Sequence, residues 1–190
     1  MLVLVHVEVQ AQKESGFEER VFRYNARLSD HYFPKPVCSL VILADNHRTW
    51  RPTIYRHNFW GSRIQFRFGV VKLLDFDEEK KLARLERSKN PFALLVAATL
   101  HTQQTRPVSD LRTDKKLALL KPLYRSGWGR EKIVEFFNVV DRMMKLSPVQ
   151  QRRFYAELDE FEKEMKMPYI NSVERMGRKD GRKEGLEQSL

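Results

Sequence analysis

Leu2-Val3-Leu4-Val5-His6-Val7-Glu8-Val9-Gln10, at the start of this 190-residue chain, decides the fold. Val3, Val5, Val7 and Val9 alternate with Leu2, Leu4, His6, Glu8 and Gln10. A period of two belongs to a β-strand, so the valines leave one face and His6, Glu8 and Gln10 the other. Neighbours on one face of a strand sit about 6.6 Å apart. A carboxylate and an amide beside an imidazole on one sheet face suit a metal-centred site. The alternative is an open face on which the three side chains meet only water.

The next segments extend this strand into an α/β unit. After a loop at Ala11–Gly16, residues Phe17, Val21, Tyr24 and Leu28 recur at the spacing of an amphipathic helix, fading near Asp30–Pro34. Val37-Cys38-Ser39-Leu40-Val41-Ile42-Leu43 is a near-continuous apolar run, as in a strand buried on both faces of a parallel sheet. Strand, helix and strand in this order form a βαβ unit. A short strand over Thr53–Arg56 and a half-buried strand over Ile64–Leu73 follow. Cys38, within the apolar run, reads as an inert buried thiol.

From Asp75 onward the strand signal stops. Asp75 or Asp77 can cap a helix with an acidic first turn, and Asn90-Pro91 caps a second, whose run Phe92–Leu100 is apolar nearly all round. A helix over Asp110–Arg125 with a break at Pro122 comes next, stopped by Gly127 and Gly129. Ile133, Phe136, Phe137, Val140, Met143 and Met144 mark another, and Ser147-Pro148-Val149-Gln150 is a capping box opening the last. In the tail Gly177, Gly181 and Gly185 repeat every four residues. Three glycines make a lone helix marginal, at about 1 kcal/mol each. A frayed, solvated tail is the default, and a small-residue self-association face, hence a homo-oligomer, is the alternative.

Composition narrows the classes. The chain is 42% hydrophobic and 32% charged, which excludes both a membrane class and a disordered class. No apolar run approaches the roughly 18–20 residues of a spanning helix. A single cysteine rules out an intrachain disulfide and suits a reducing cytoplasm. The net charge is +10, and all the excess lies in residues 1–146, a surface that favours a polyanion such as DNA. There is no CxxC pair, HExxH, P-loop or GxGxxG, and the five histidines show no ligand spacing. Trp50, Trp60 and Trp128 read as fold anchors, with base stacking as the alternative.

Several segments, taken in order, resemble one family: His6–Gln12, Phe17–Tyr24, Val37–Leu43, Phe66–Leu74, Ser88–Ala93 and the glycine-repeat tail. Together they are similar to the Rpn family of recombination-promoting nucleases and putative transposases, in the PD-(D/E)XK nuclease superfamily. The resemblance implies a Mg²⁺-dependent DNA endonuclease. In it, Glu8 is the acidic metal ligand, the backbone carbonyl of Val9 binds the same ion, and Gln10 takes the place of the catalytic lysine. Arg20 and Tyr24, one helical turn apart, match the helix position that supports the site and touches phosphate.

The superfamily core carries its other metal-binding aspartate upstream of the Glu-x-Gln strand, where this chain has almost nothing. The expectation is therefore an N-terminally truncated partial sheet that cleaves DNA weakly or not at all, because one carboxylate holds Mg²⁺ poorly. Two competing readings stand beside it: a non-catalytic remnant of a mobile element, and a nucleic-acid-binding module with no chemistry. The expected organisation is a truncated α/β core over 1–75, a helical region over 76–168, and a tail over 169–190, in a cytoplasmic protein with DNA and no membrane as partner.

Overall fold

β1 (Leu4–Gln10) pairs in parallel with β2 (Val37–Leu43) over its whole length, from Leu4 opposite Val37 to Gln10 opposite Leu43. Helix α1 (Phe17–His31) links the two. The computed structural model, which describes residues 2–106 and 108–170, thus contains the expected βαβ unit. β5 (Gly69–Lys72) adds a third parallel strand on the far side of β2, leaving β1 and β5 at the edges. β3 (Ile54–Phe59) and β4 (Ser62–Arg67) form a separate antiparallel ribbon. The sequence expectation for 64–73 was one strand; the chain divides it at Phe68, whose side chain is buried, between the ribbon and the sheet.

α1 covers only one face of the sheet. Its buried side chains are Phe17, Val21 and Asn25, one per turn. Phe17 and Val21 pack with Val41, Leu43 and Phe68 into a core flanked by Trp50, Phe66 and Val70. Phe22, one step around the helix, faces the ribbon and stacks on Tyr55 at 5.0 Å between ring centroids. Tyr24, expected on the apolar stripe, is displaced from it by Asn25 and is 41% exposed.

The other face is bare. Val3, Val5, Val7 and Val9 are 43–63% exposed. By the strand register they share their face with Cys38, Leu40 and Ile42. β2 is therefore buried on one side only, and Cys38 is exposed rather than buried. Parallel sheets normally hide both faces; here the apolar side of the opening strand is the open one.

The chain divides into two compact units, over residues 1–81 and 82–190. α2 (Glu79–Glu86) carries the boundary, a few residues beyond the division at 75 expected from the loss of strand signal. It starts later than a cap at Asp75 or Asp77 would have it. Asp75 lies in the 3₁₀ turn Leu73–Phe76 and accepts two hydrogen bonds from Arg51 instead.

The second unit is helical: α3 (Pro91–Gln104), α4 (Asp110–Leu120), a 3₁₀ turn Lys121–Arg125 at the predicted proline break, α5 (Arg130–Met143) and α6 (Pro148–Met165). Asn90 caps α3, accepting from the Phe92 backbone N–H at 3.0 Å, and the Ser147/Gln150 capping box opens α6. Phe92, within the run expected to be apolar all round and buried, points to solvent, because it falls in the first turn opposite Leu94, Ala97 and Ala98. The glycine-repeat tail lies outside the described residues.

One polar pair is sealed inside this unit. The Tyr124 hydroxyl donates to Glu162 Oε1 at 2.5 Å, and the Ile170 backbone N–H donates to the same oxygen at 2.7 Å. Burial first, and the neighbouring carboxylate second, push the Tyr124 phenol well above its ordinary range. A group whose folded pKa is raised contributes stability below its unfolded pKa, near 10 for tyrosine, and loses it as the pH climbs beyond that value. Wild type should therefore exceed Tyr124→Phe in urea midpoint near neutrality, and the gap should narrow between about pH 10 and 12. A gap that stays constant over that range contradicts the assignment.

Candidate functional site

The polar row of β1 meets α1. His6, Glu8 and Gln10 lie on the same sheet face as their partners Ser39, Val41 and Leu43, the face α1 covers. Phe17 and Val21 seat the helix on β2. Arg20 and Tyr24, rotated towards β1 from that stripe, then overhang the polar row. The sequence residues Glu8, Gln10, Arg20 and Tyr24 thus come together, with two that the sequence reading did not single out, Ser39 and Asn25.

Arg20 is the hub. Its Nε and Nη2 donate to Glu8 Oε1 at 3.0 and 2.8 Å, and Nη2 also donates to Gln10 Oε1 at 2.8 Å. Its Nη1 donates to both oxygens of Glu14 at 2.6 Å. The guanidinium lies 5.1 Å from the Phe17 ring centroid. Burial lowers the Arg20 pKa, but Glu14 and Glu8 together raise it above its ordinary value. Gln10 completes the loop by donating to Gln12 O at 2.7 Å and to Glu14 Oε2 at 3.0 Å. Glu14, in the β1–α1 loop, is a site residue that the strand pattern could not reveal.

A second chain of contacts runs from Asn25. Its Nδ2 donates to Ser39 Oγ at 3.0 Å, and Ser39 Oγ is 3.0 Å from His6 Nδ1. His6 Nε2 lies 3.8 Å from Glu8 Oε2, beyond hydrogen-bond length, and the His6 ring meets Tyr24 edge-on at 5.9 Å. Ser39, His6 and Glu8 have the components of a nucleophilic triad, yet Ser39 is only 8% exposed and its hydroxyl accepts from Asn25 under the helix. No substrate carbonyl can reach it. These polar groups lock α1 to the sheet.

The metal ligands implied by the family resemblance are arranged differently. Glu8 Oε1 is taken by Arg20, and Oε2 is buried with no hydrogen-bond partner. Gln10 O accepts from Ala44 N, so by strand alternation the Val9 carbonyl points to the unpaired edge of β1. The Glu8 side chain is turned under α1 instead. An ion bound to Glu8 would face a guanidinium already bonded to the same carboxylate. Two like unit charges about 4 Å apart repel by about 4 kcal/mol at an effective dielectric near 20, and a divalent ion doubles this. Among the described residues no three His, Cys, Asp or Glu side chains group to hold a metal. The residues present do not fit a resident Mg²⁺.

No protein-family model matches the chain, and no curated protein or solved structure matches it either. Among the described residues, no helix is long and apolar enough to cross a membrane.

Proposed function

We propose that this chain binds nucleic acid and does not itself hydrolyse phosphodiesters, and that its βαβ unit is a nuclease-like one with its acidic position closed. The observation that carries this is Arg20. A guanidinium bonded to Glu8, Gln10 and Glu14 at once supplies, from the protein, the positive charge that a nuclease takes from its metal. The +10 net charge supports a polyanionic partner, since released counterions favour such complexes at moderate salt. The resemblance to the Rpn nucleases rests on Glu8-Val9-Gln10 on a strand followed by Arg20 and Tyr24 on the next helix. The parallel β1–α1–β2 order is compatible with it.

The hydrolytic alternative, a Mg²⁺-dependent endonuclease, draws on one feature, the unpartnered Glu8 Oε2. One experiment separates the two. Purified chain is incubated with supercoiled plasmid in Mg²⁺ or Mn²⁺, and its melting temperature is followed with and without each ion. The expected result is a retarded but intact plasmid and a melting temperature indifferent to the ions. Nicking that requires the ion and disappears in Glu8→Gln overturns the proposal.

A further inference from the structure

The β3–β4 ribbon is largely exposed and one-sided in charge. Between Asn46 and Leu74 the sequence has no aspartate or glutamate. In the ribbon, Asn58 pairs with Arg63, Arg56 with Gln65 and Ile54 with Arg67, and residues paired across an antiparallel ladder share a face. Arg63, Arg56 and Arg67 therefore occupy three successive cross-strand positions along one face, stepped about 6.7 Å along the ribbon, with Arg56 on β3 and the other two on β4. All three are exposed. Among the described residues no carboxylate pairs with any of them, whereas Arg20, Arg23, Arg48 and Arg51 of the same unit each face one.

The opposite face and the tip are aromatic. Tyr55, His57 and Phe59 line up with ring centroids 6.4 Å apart, and Phe59 stacks on Trp60. Tyr55 is held by Phe22 of α1, so the base of the ribbon is anchored while its end projects. Trp60 is 92% exposed and, with Gly61, forms a two-residue turn in which both have positive φ, 48° and 83°. Such a turn favours Asn-Gly; a bulky side chain at its first position is unusual. Trp60, expected from the sequence as a fold anchor with base stacking as the alternative, is instead exposed, its ring against that of neighbouring Phe59.

We infer that this ribbon is the chain's docking element for duplex DNA, with Arg56, Arg63 and Arg67 on the phosphates and Trp60 as the apolar wedge at the tip. The inference rests on the nucleic-acid-binding reading above and adds the element and the form of nucleic acid. Steps of about 6.7 Å along the ribbon put the arginines within reach of neighbouring phosphates, of which each strand carries one per about 3.4 Å of helix axis. The major groove, about 12 Å wide, admits a two-stranded ribbon. Partial insertion of an apolar side chain between base steps is a device of proteins that enter the minor groove, extended here to Trp60 at the end of the ribbon.

The test is fluorescence anisotropy of the full chain on a labelled duplex of about 20 base pairs, titrated from about 50 to 200 mM salt. Neutralising Arg56, Arg63 and Arg67 together to alanine should weaken binding at least about tenfold and reduce the salt slope by about 2.7, at 0.9 per phosphate contact. Alanine at Arg125, Arg142 and Arg152, three exposed arginines of the other unit, should leave the slope unchanged. Trp60→Asn, which suits the turn better and so should raise the melting temperature, should weaken binding without moving the slope. If wild type binds and the ribbon variants bind equally well, the ribbon assignment falls while nucleic-acid binding stands. If wild type fails to bind, both fall. If the matching single strand binds as tightly as the duplex and with the same losses, the duplex assignment is overturned.

Discussion

Asp45→Ala should destabilise the first unit by about 3–5 kcal/mol, the range for removing one partner of a buried ion pair. Lys72 Nζ lies 2.5 Å from Asp45 Oδ2, with the two side chains 0% and 1% exposed. The ammonium has one other hydrogen-bond acceptor, Trp50 O at 3.3 Å, and lies 5.8 Å from the Trp50 ring centroid. Lys72 ends β5 beside Leu43, and Asp45 follows β2 by two residues, so the pair ties together the ends of neighbouring parallel strands. Asp45 Oδ1 also accepts from the His47 backbone N–H at 2.8 Å, which shapes the loop that places Trp50 on Phe17.

Alanine at position 45 leaves an ammonium sealed in the interior with a carbonyl and a ring for company. Urea denaturation should show the loss directly. A double replacement, Asp45→Leu with Lys72→Met, removes both charges and should recover most of it, leaving about 1 kcal/mol for the lost turn hydrogen bond. A single variant within about 1 kcal/mol of wild type means that water reaches Lys72 and the pair is not sealed.

The same region shows what the sequence could and could not reveal. The period-two opening, the helical stripe after Gly16 and the apolar run at Val37–Leu43 dictate a parallel βαβ unit, and it is there. Which face of β1 the helix covers was not legible. An apolar row of valines ordinarily attracts the covering helix, yet α1 lies on the side of His6, Glu8 and Gln10. The reason is that α1 buries its own apolar residues on β2, and Arg20 then reaches the polar row of β1. Two signals pointed that way: Ser39 interrupts an otherwise apolar strand, and Asn25 follows Phe17 and Val21 at helical spacing. Both are polar residues in core register, and they hydrogen-bond to each other. The two ribbon strands were legible as strands, but the character of the ribbon's projecting end was not. His57, Phe59 and Trp60 there are exposed, and a strand pattern does not distinguish a face that is buried from one that awaits a partner.

Arg20→Ala is the second large effect, at about 2–3 kcal/mol. It is below the cost at Asp45 because the Arg20 side chain is 30% exposed and water can partly replace it. The Glu8 side chain is 14% exposed, so without Arg20 it keeps a negative charge under the helix, with Oε2 already unpartnered. Glu14, at 44% exposed, can turn to solvent at little cost. The burden thus falls on Glu8, and a double-mutant cycle locates it. Glu8→Gln alone should cost about 1 kcal/mol, because its amide oxygen still accepts from Arg20 while the charge-assisted part of the bond is lost. In the Arg20→Ala background the same change should be neutral or stabilising, since it removes an unpaired charge. A strictly additive pair would mean that Glu8 is neutralised by something other than Arg20, and the case for a closed acidic site would fail with it.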